Sequence, residues 1–472
     1  MNKLAVVIPV MAVLAVSMLS LLPGGQETPS EADTPIMDGR LSMTSMIVPE
    51  SADSIGERAF EGCRSLEFVT LHSGVSSIGA GAFLGCPSLI ALAFAGSGDV
   101  SLNGESLILE PLEGLTVINT LEGGRLTISS GMIGGSGITK AQPGSVYVFS
   151  HGVWKEAYRL AFEGDSVSKA TRTGDYKGRV AMPPTASSIS DDYNGPIFDF
   201  DKTWVTSVAI PEGVRSIGAK AFSGCDRLQS VELPRTLASI GREAFYGCSS
   251  LTSPDLPPGL KAIGRNAFYG CSSLVSMSVP DGVSDISGAF YGCSSLKTVS
   301  LPRSLSEIGD SAFYGCSSLE YVEISDSVES IASSAFYRCV SLSSVSIPGS
   351  VSVVGPKSFE GCSGLSSLTL EEGTSSIEYR AFAGCSSLTS VSIPASVSSI
   401  GADAFSGCSS LETVEFGGAS VLSIGSDAFP ARASLSETFY YENGSRMITN
   451  HSVLGKFVYR YGQDQGYHRT AS

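Results

Sequence analysis

The stretch Ile377-Glu378-Tyr379-Arg380-Ala381-Phe382-Ala383-Gly384-Cys385-Ser386-Ser387-Leu388-Thr389-Ser390-Val391-Ser392-Ile393-Pro394-Ala395-Ser396-Val397-Ser398-Ser399 decides how the rest of the chain is read. Leu388, Val391 and Ile393 follow a strand pattern in which Val391 and Ile393 face one way and Ser390 and Ser392 the other. Pro394 removes a ladder donor and ends the strand. Val397 and Ile400 point back inward across a serine-rich turn, and in the next copy Ala404, Phe405 and Cys408 fall on one side of what reads as a short helical turn. Each unit of this kind has about nine inward residues, too few to offset the ordering entropy of the whole unit, so neighbouring units must stack.

The cysteines show how far the pattern extends. They stand at 63, 86, 225, 248, 271, 293, 316, 339, 362, 385 and 408, and within each block the step is 23, with one 22 between Cys271 and Cys293. Three residues before each is a Phe, from Phe60 to Phe405, and three after is a Leu, from Leu66 to Leu411. A further unit carries Phe429 and Leu435 in register but Arg432 in the cysteine slot. Self-similarity at such a period marks a solenoid.

The Leu-x-x-[Val/Ile/Leu]-x-[Ile/Leu] strand with its Ala-Phe-x-Gly-Cys turn resembles the BspA-like class of leucine-rich repeats over Ser42–Phe94 and Val180–Tyr441. The resemblance implies an α/β repeat solenoid with a parallel β-sheet of 23-residue units. It also implies a surface-exposed or secreted protein that adheres to a host or microbial surface protein; from the residues themselves we expect no enzymatic activity and no cofactor.

Expected boundaries follow the breaks in the period: repeats over 42–102 and 179–441, a small β-rich insertion over 103–178, and a C-terminal cap and tail over 442–472. Ahead of the repeats, Leu4–Leu22 is an apolar run within residues 1–22, followed by a polar linker over 23–41. The run is nearly long enough to cross a bilayer and lacks a clean Ala-x-Ala site, so a cleaved signal and a retained anchor both stay open. Either one exports the body, and any membrane contact is through residues 1–22.

Composition excludes more than it identifies. Thirty Lys and Arg against 46 Asp and Glu give a net charge of −16, which leaves nothing to neutralise phosphate and disfavours a nucleic-acid partner. Four His thin the field of acid–base and metal chemistry. Gly131–Lys140 has the glycines of a phosphate loop but not its Gly-Lys-Ser/Thr order. Ser190–Asp201 is a poor calcium loop, with Ser as first ligand and Pro196 after its glycine. His151, Trp154 and Glu156 crowd together with no nucleophile in view, so we expect neither catalytic nor metal-ligating residues. Asn443 and Asn450 begin glycosylation sequons. Eleven cysteines in one identical slot, an odd number, read as a buried ladder of free thiols in preference to a disulfide framework.

Two places could hold a protein partner. Outward strand positions are mostly Ser and Thr, from Ser276 and Ser278 to Ser390 and Ser392, a face poor in the aromatic and Arg residues that anchor interfaces. Directly after the inward Phe, in five consecutive units, stand Tyr246, Tyr269, Tyr291, Tyr314 and Tyr337. These rings either cover one another and seal the edge of the solenoid, or form a preformed amphipathic stripe for docking. Trp154 is a further candidate contact. The leading reading is an adhesin-like interaction protein, and the alternative is a structural spacer or envelope component that only projects the insertion.

Overall fold

The computed structural model describes residues 43–102, 115–128, 138–189 and 196–430, apart from interruptions at 49, 51, 123–124, 151–152, 164–165, 174–175, 184, 199–201 and 418–422. Beyond 430 it describes the backbone of five short strands between 434 and 470. The apolar run Leu4–Leu22, His151, the calcium-like residues Ser190–Gly195 and the sequon asparagines lie outside the described residues. The chain forms two compact units, one of residues 1–190 with 197–214 and the other of 191–196 with 215–472.

The second unit is a parallel β-solenoid. One ladder joins Glu307–Ile308, Ser330–Ile331, Val353–Val354, Ser376–Ile377, Ser399–Ile400 and Ser423–Ile424, each paired in parallel with the next. Ser216–Ile217, Ser239–Ile240 and Ala262–Ile263 form the same kind of ladder. A second face carries the outward serines, as in Ser344–Ile347 on Ser367–Leu370 and Ser390–Ile393 on Thr413–Phe416. Its strands alternate exposed and buried residues, so the period-2 pattern is realised. Pro254, buried in the slot filled by Val231 and Met277, leaves its coil without a strand on this face because it has no N–H to donate.

The turn edge differs from the sequence reading, and the α half of the α/β label is not realised: among the described residues there is no helix. The backbone explains why. The residue before each Ala-Phe pair takes a left-handed φ, as at Glu243 (56°), Asn266 (60°) and Arg380 (55°), and so does the residue four further on, as at Gly247 (71°), Gly270 (69°) and Gly384 (74°). Two left-handed residues per turn cannot propagate a right-handed helix. The N–H groups are shared out instead. Ala244, Tyr246 and Cys248 donate three residues back, to Gly241, Glu243 and Phe245, at 3.3, 3.0 and 3.1 Å. Glu243, Phe245 and Gly247 donate across to Arg265, Ala267 and Tyr269 of the next coil, at 3.1, 2.8 and 2.7 Å. Each coil is thus hydrogen-bonded to its neighbour on the turn edge as well as on the strands.

Inside, the Phe column of the second unit stacks from Phe222 to Phe429, ring centroids 4.9–5.7 Å apart with nearly parallel planes. All eleven cysteines are buried and free. Each thiol from Cys248 to Cys408 donates to the carbonyl of the Phe in the preceding coil, for example Cys316 to Phe290 at 3.2 Å and Cys408 to Phe382 at 3.2 Å. That carbonyl already accepts its own coil's Cys N–H, as at Phe290 from Cys293 at 3.2 Å, so the thiol fills its second lone pair. Burial, with neighbouring thiols adding to it, holds Cys271 and Cys293 well above the usual thiol range.

The first unit begins the same way: Ser45–Ile47, Phe68–His72 and Ala91–Ser97 pair in parallel, and Phe60 stacks on Phe83 at 5.2 Å. Parallel pairing continues into the stretch read as an insertion. Thr116–Glu122 pairs with Ala91–Ser97, and Leu126–Ile128 with Val100–Leu102. Antiparallel hairpins follow, Ser145–Ser150 with Val153–Glu163 and that strand with Ser166–Arg172, before Ser166 and Val167 return to a parallel partner in Ser188 and Ile189. Tyr158 closes this unit's interior. Its hydroxyl donates to the Ala181 carbonyl at 3.0 Å and accepts the Ala181 N–H at 2.7 Å, against Trp204 at 5.9 Å.

Candidate interaction surface

Trp154 is not available to a partner. It is 5% exposed, with its ring tilted against Phe149 at 5.4 Å, because it alternates inward on Val153–Glu163. Trp204 is 1% exposed, so both tryptophans of the chain are core residues. Glu156, two residues after Trp154, is engaged elsewhere: its carboxylate accepts from Ser145 at 2.7 Å and from Arg159 at 2.6 and 3.2 Å. Partial burial alone raises that carboxyl, but these bonds hold it below the usual range. The described part of Gly131–Lys140 is the strand Ile138–Ala141, and among the described residues no group of His, Cys, Asp and Glu is placed to hold a metal.

The five tyrosines are brought together. Their rings stack along the second unit at 4.5, 4.5, 4.3 and 4.5 Å, with interplanar angles of 9, 13, 5 and 15°. The backbone sets this register: Gly247, Gly270, Gly292 and Gly315 each donate to the tyrosine carbonyl of the next coil at 2.7 Å. Stacking consumes the ring faces and leaves the edges in half-buried positions, with Tyr246 at the open end 38% exposed. Burial against its neighbours, then hydrogen bonding with Tyr314, pushes the Tyr291 phenol up to about 12. The Tyr291 phenol is therefore neutral at physiological pH.

Its borders are defined by what replaces tyrosine and glycine. The tyrosine slot reads Ser223 on one side of the run and Glu360 on the other, with Glu360 paired to Arg380 at 2.9 Å. The adjacent slot is Gly in four of the five coils and Arg338 in the fifth, where the guanidinium lies over the Tyr337 ring at 5.5 Å. At the Tyr246 end, Glu243 pairs with Arg242 at 2.8 Å and Lys220 at 3.7 Å.

The strand face is different in kind. Its outward Ser and Thr are mostly exposed, with Ser344 and Thr413 half-buried, and Tyr321, 54% exposed, is its one large ring among the described residues. Sequence reasoning gave no reason for the serines that border the turns, and the structure supplies one. Ser272, Ser317, Ser343 and Ser366 each donate to a carbonyl one coil back, at 3.2–3.4 Å. Ser352, Ser375 and Ser398 form a second such row at 2.8–3.1 Å. These hydroxyls are spent on the solenoid itself. Their only signal in the sequence is recurrence at the repeat period.

A family model described as BspA type leucine rich repeat region (6 copies) matches residues 38–108, 197–316, 286–386 and 353–453. Among solved structures, a leucine-rich repeat protein from Bacteroides ovatus is 28% identical over 58% of this chain and 90% of its own, with a TM-score of 0.32. A leucine rich cell surface protein from Faecalibacterium prausnitzii is 27% identical over 57% and 88%, TM-score 0.33. A leucine rich repeat protein from T. pallidum is 31% identical over 39% and 86%, TM-score 0.32. No curated protein matches.

Proposed function

This chain belongs to the BspA-type leucine-rich-repeat family, and from that premise we propose that it is a non-enzymatic, adhesin-like interaction protein, exported and held at the cell surface, that binds a protein partner. The observation that carries the reading is the tyrosine ladder from Tyr246 to Tyr337. It is a row of amphipathic rings held rigid by stacking and by backbone bonds on both sides. A surface already ordered in the free protein loses little side-chain entropy on binding, and tyrosine is among the residues that dominate interface energetics. With both tryptophans buried, and the border serines bonded to the solenoid's own carbonyls, this row is the richest aromatic surface among the described residues of the second unit. Export rests on the apolar run Leu4–Leu22. Among the described residues no helix is long and apolar enough to cross a membrane.

The test is replacement of Tyr269, Tyr291 and Tyr314 by Ser, with adhesion of cells displaying the protein to host and microbial surfaces measured beside thermal stability. Adhesion lost at nearly unchanged stability supports the reading. Adhesion retained while stability falls makes the column an edge seal and the protein a spacer.

A further inference from the structure

We propose that the second unit docks on a second copy of the chain, face to face and antiparallel. The docking face is the side that carries the short ladder strands Ser216–Ile217, Ser239–Ile240 and Ala262–Ile263, continued by Glu307–Ile308 and Ser330–Ile331. It includes none of the stacked tyrosines.

The observation is a change of sign along the repeat. The whole chain carries −16, yet residues 215–265 hold seven Lys and Arg against four Asp and Glu, while residues 308–427 hold three against thirteen. On this face the switch occurs within single positions of the unit. The residue before the ladder strand is Arg215 and Lys261 in the first coils and Glu329 further on. The residue two after it is Arg242 and Arg265, then Asp310. Its first residue is Ser216, Ser239 and Ala262, then Glu307, with Asp285 at the same position in the coil between. All of these charged side chains are exposed.

The two signs do not pair with each other inside the chain. Among the described residues Arg242 bonds its own neighbour Glu243 at 2.8 Å, and no ion pair joins the basic coils to the acidic ones on this face. Oδ1 of Asp285 and of Asp310 accepts a backbone N–H, from Ser287 at 2.8 Å and from Ser333 at 3.1 Å. The second oxygen of each carboxylate stays open to a partner.

Symmetry selects that partner. A two-fold axis lying in the face, between the coils of Lys261 and Asp285, reverses the order of the coils and keeps every column on itself. Arg215 then meets Glu329 of the second copy, Arg242 meets Asp310, and Lys261 lies beside Asp285, each contact occurring twice. Arg265 faces the coil that is one residue short, at the 22-residue step, and meets no cation there. Arg235 and Arg303 belong to the preceding turn, beyond the buried Leu237 and Leu305, and stand outside the face. Its middle is small, with Ser216, Ser239, Gly218 and Gly241, so two copies can approach closely. A polyanion would meet the basic half alone and be repelled by the carboxylates next to it. The face measures about 24 Å by 13 Å, roughly 300 Å2 against ~800 Å2 per partner in a stable interface, so the contact is a weak one.

The experiment follows the full chain by sedimentation over a range of concentrations at about 0.1 M salt, where a screening length of ~10 Å hides remote charge and leaves contacts in place. Wild type is compared with Arg215→Glu, with Glu329→Arg and with an equal mixture of the two. Each variant alone should associate at least about tenfold more weakly, because two attractive contacts per dimer become repulsive. The mixture should recover wild-type association, since each reversed charge then meets its opposite. A second readout uses Ser216→Cys and Ser330→Cys with a short bifunctional thiol reagent, the native thiols being buried. The two variants mixed should cross-link, and Ser216→Cys alone should not, because its copies stand about 24 Å apart across the two-fold. Monomer at every concentration with no cross-link overturns the proposal. So does association untouched by the reversals, or a mixture no better than its parts. Cross-linking of Ser216→Cys to itself means a parallel contact and overturns it too. Wild type that stays monomeric but is retained by immobilised polyuronate assigns the basic coils to an acidic polymer instead.

Discussion

Cys316 tests the thiol ladder most directly. Its side chain is fully buried and its Sγ donates to the Phe290 carbonyl at 3.2 Å. Cys316→Ala removes a sulfur about as apolar as a methylene, worth ~0.8 kcal/mol. It also leaves a cavity of roughly 20 Å3, about 0.5 kcal/mol more, and forfeits a weak hydrogen bond of about 0.5–1 kcal/mol. The carbonyl is not orphaned, because the Cys293 N–H still reaches it at 3.2 Å, so the total stays near 2 kcal/mol. Cys316→Ser looks gentler and should be worse. The C–O bond is shorter than C–S, so the hydroxyl falls short of Phe290 and is buried without a partner, costing a further ~1–2 kcal/mol. Equilibrium guanidinium denaturation, compared at unchanged denaturant slope, ranks the three proteins. The expected order is wild type, then Ala, then Ser. Serine as stable as cysteine, or better than alanine, refutes the reasoning, because the slot would then call for any small hydrogen-bond donor and not for a thiol.

Three further outcomes follow from the same core. Native protein should leave its thiols unmodified by a thiol reagent at neutral pH, and denatured without reductant it should release all eleven as free; recovery of five or fewer indicates disulfides. On the alkaline side, stability should fall as pH rises from about 9 toward 12. Burial lifts the Cys362 thiol from 9.0 to about 12, and burial with Tyr314 lifts Tyr291 from 10.0 to about 12. A raised folded pKa gives stability that is complete below the unfolded value and lost above it, so alkaline denaturation monitored by phenolate absorbance checks the sign. Phe313→Leu, losing stacking with both Phe290 at 5.5 Å and Phe336 at 5.3 Å, should cost about 2 kcal/mol, of which ~1–2 is the two ring contacts; a denaturation shift under 0.5 kcal/mol contradicts that.

The sequence by itself determined whatever repeats. Phe, Cys and Leu recur in identical slots, and a side chain in an identical slot of a stacked unit meets its own copy, so the inward columns and the tyrosine row were legible from spacing, and the parallel sheet from the family resemblance those slots carry. Tertiary structure decided what depends on backbone bonds between coils. Ala404, Phe405 and Cys408 have helical spacing, yet the edge is a run of turns, because alternate N–H groups pair with the next coil and two residues per unit become left-handed. The reason for cysteine in its slot is an acceptor 26 residues away, the Phe290 carbonyl seen by Cys316. Trp154 read as a candidate contact and is buried, since its side of the strand is set by the cross-strand partner Phe149, outside any repeat. Where the period runs, local pattern and packing are one constraint; where it breaks, long-range pairing alone sets which face of a strand is inside.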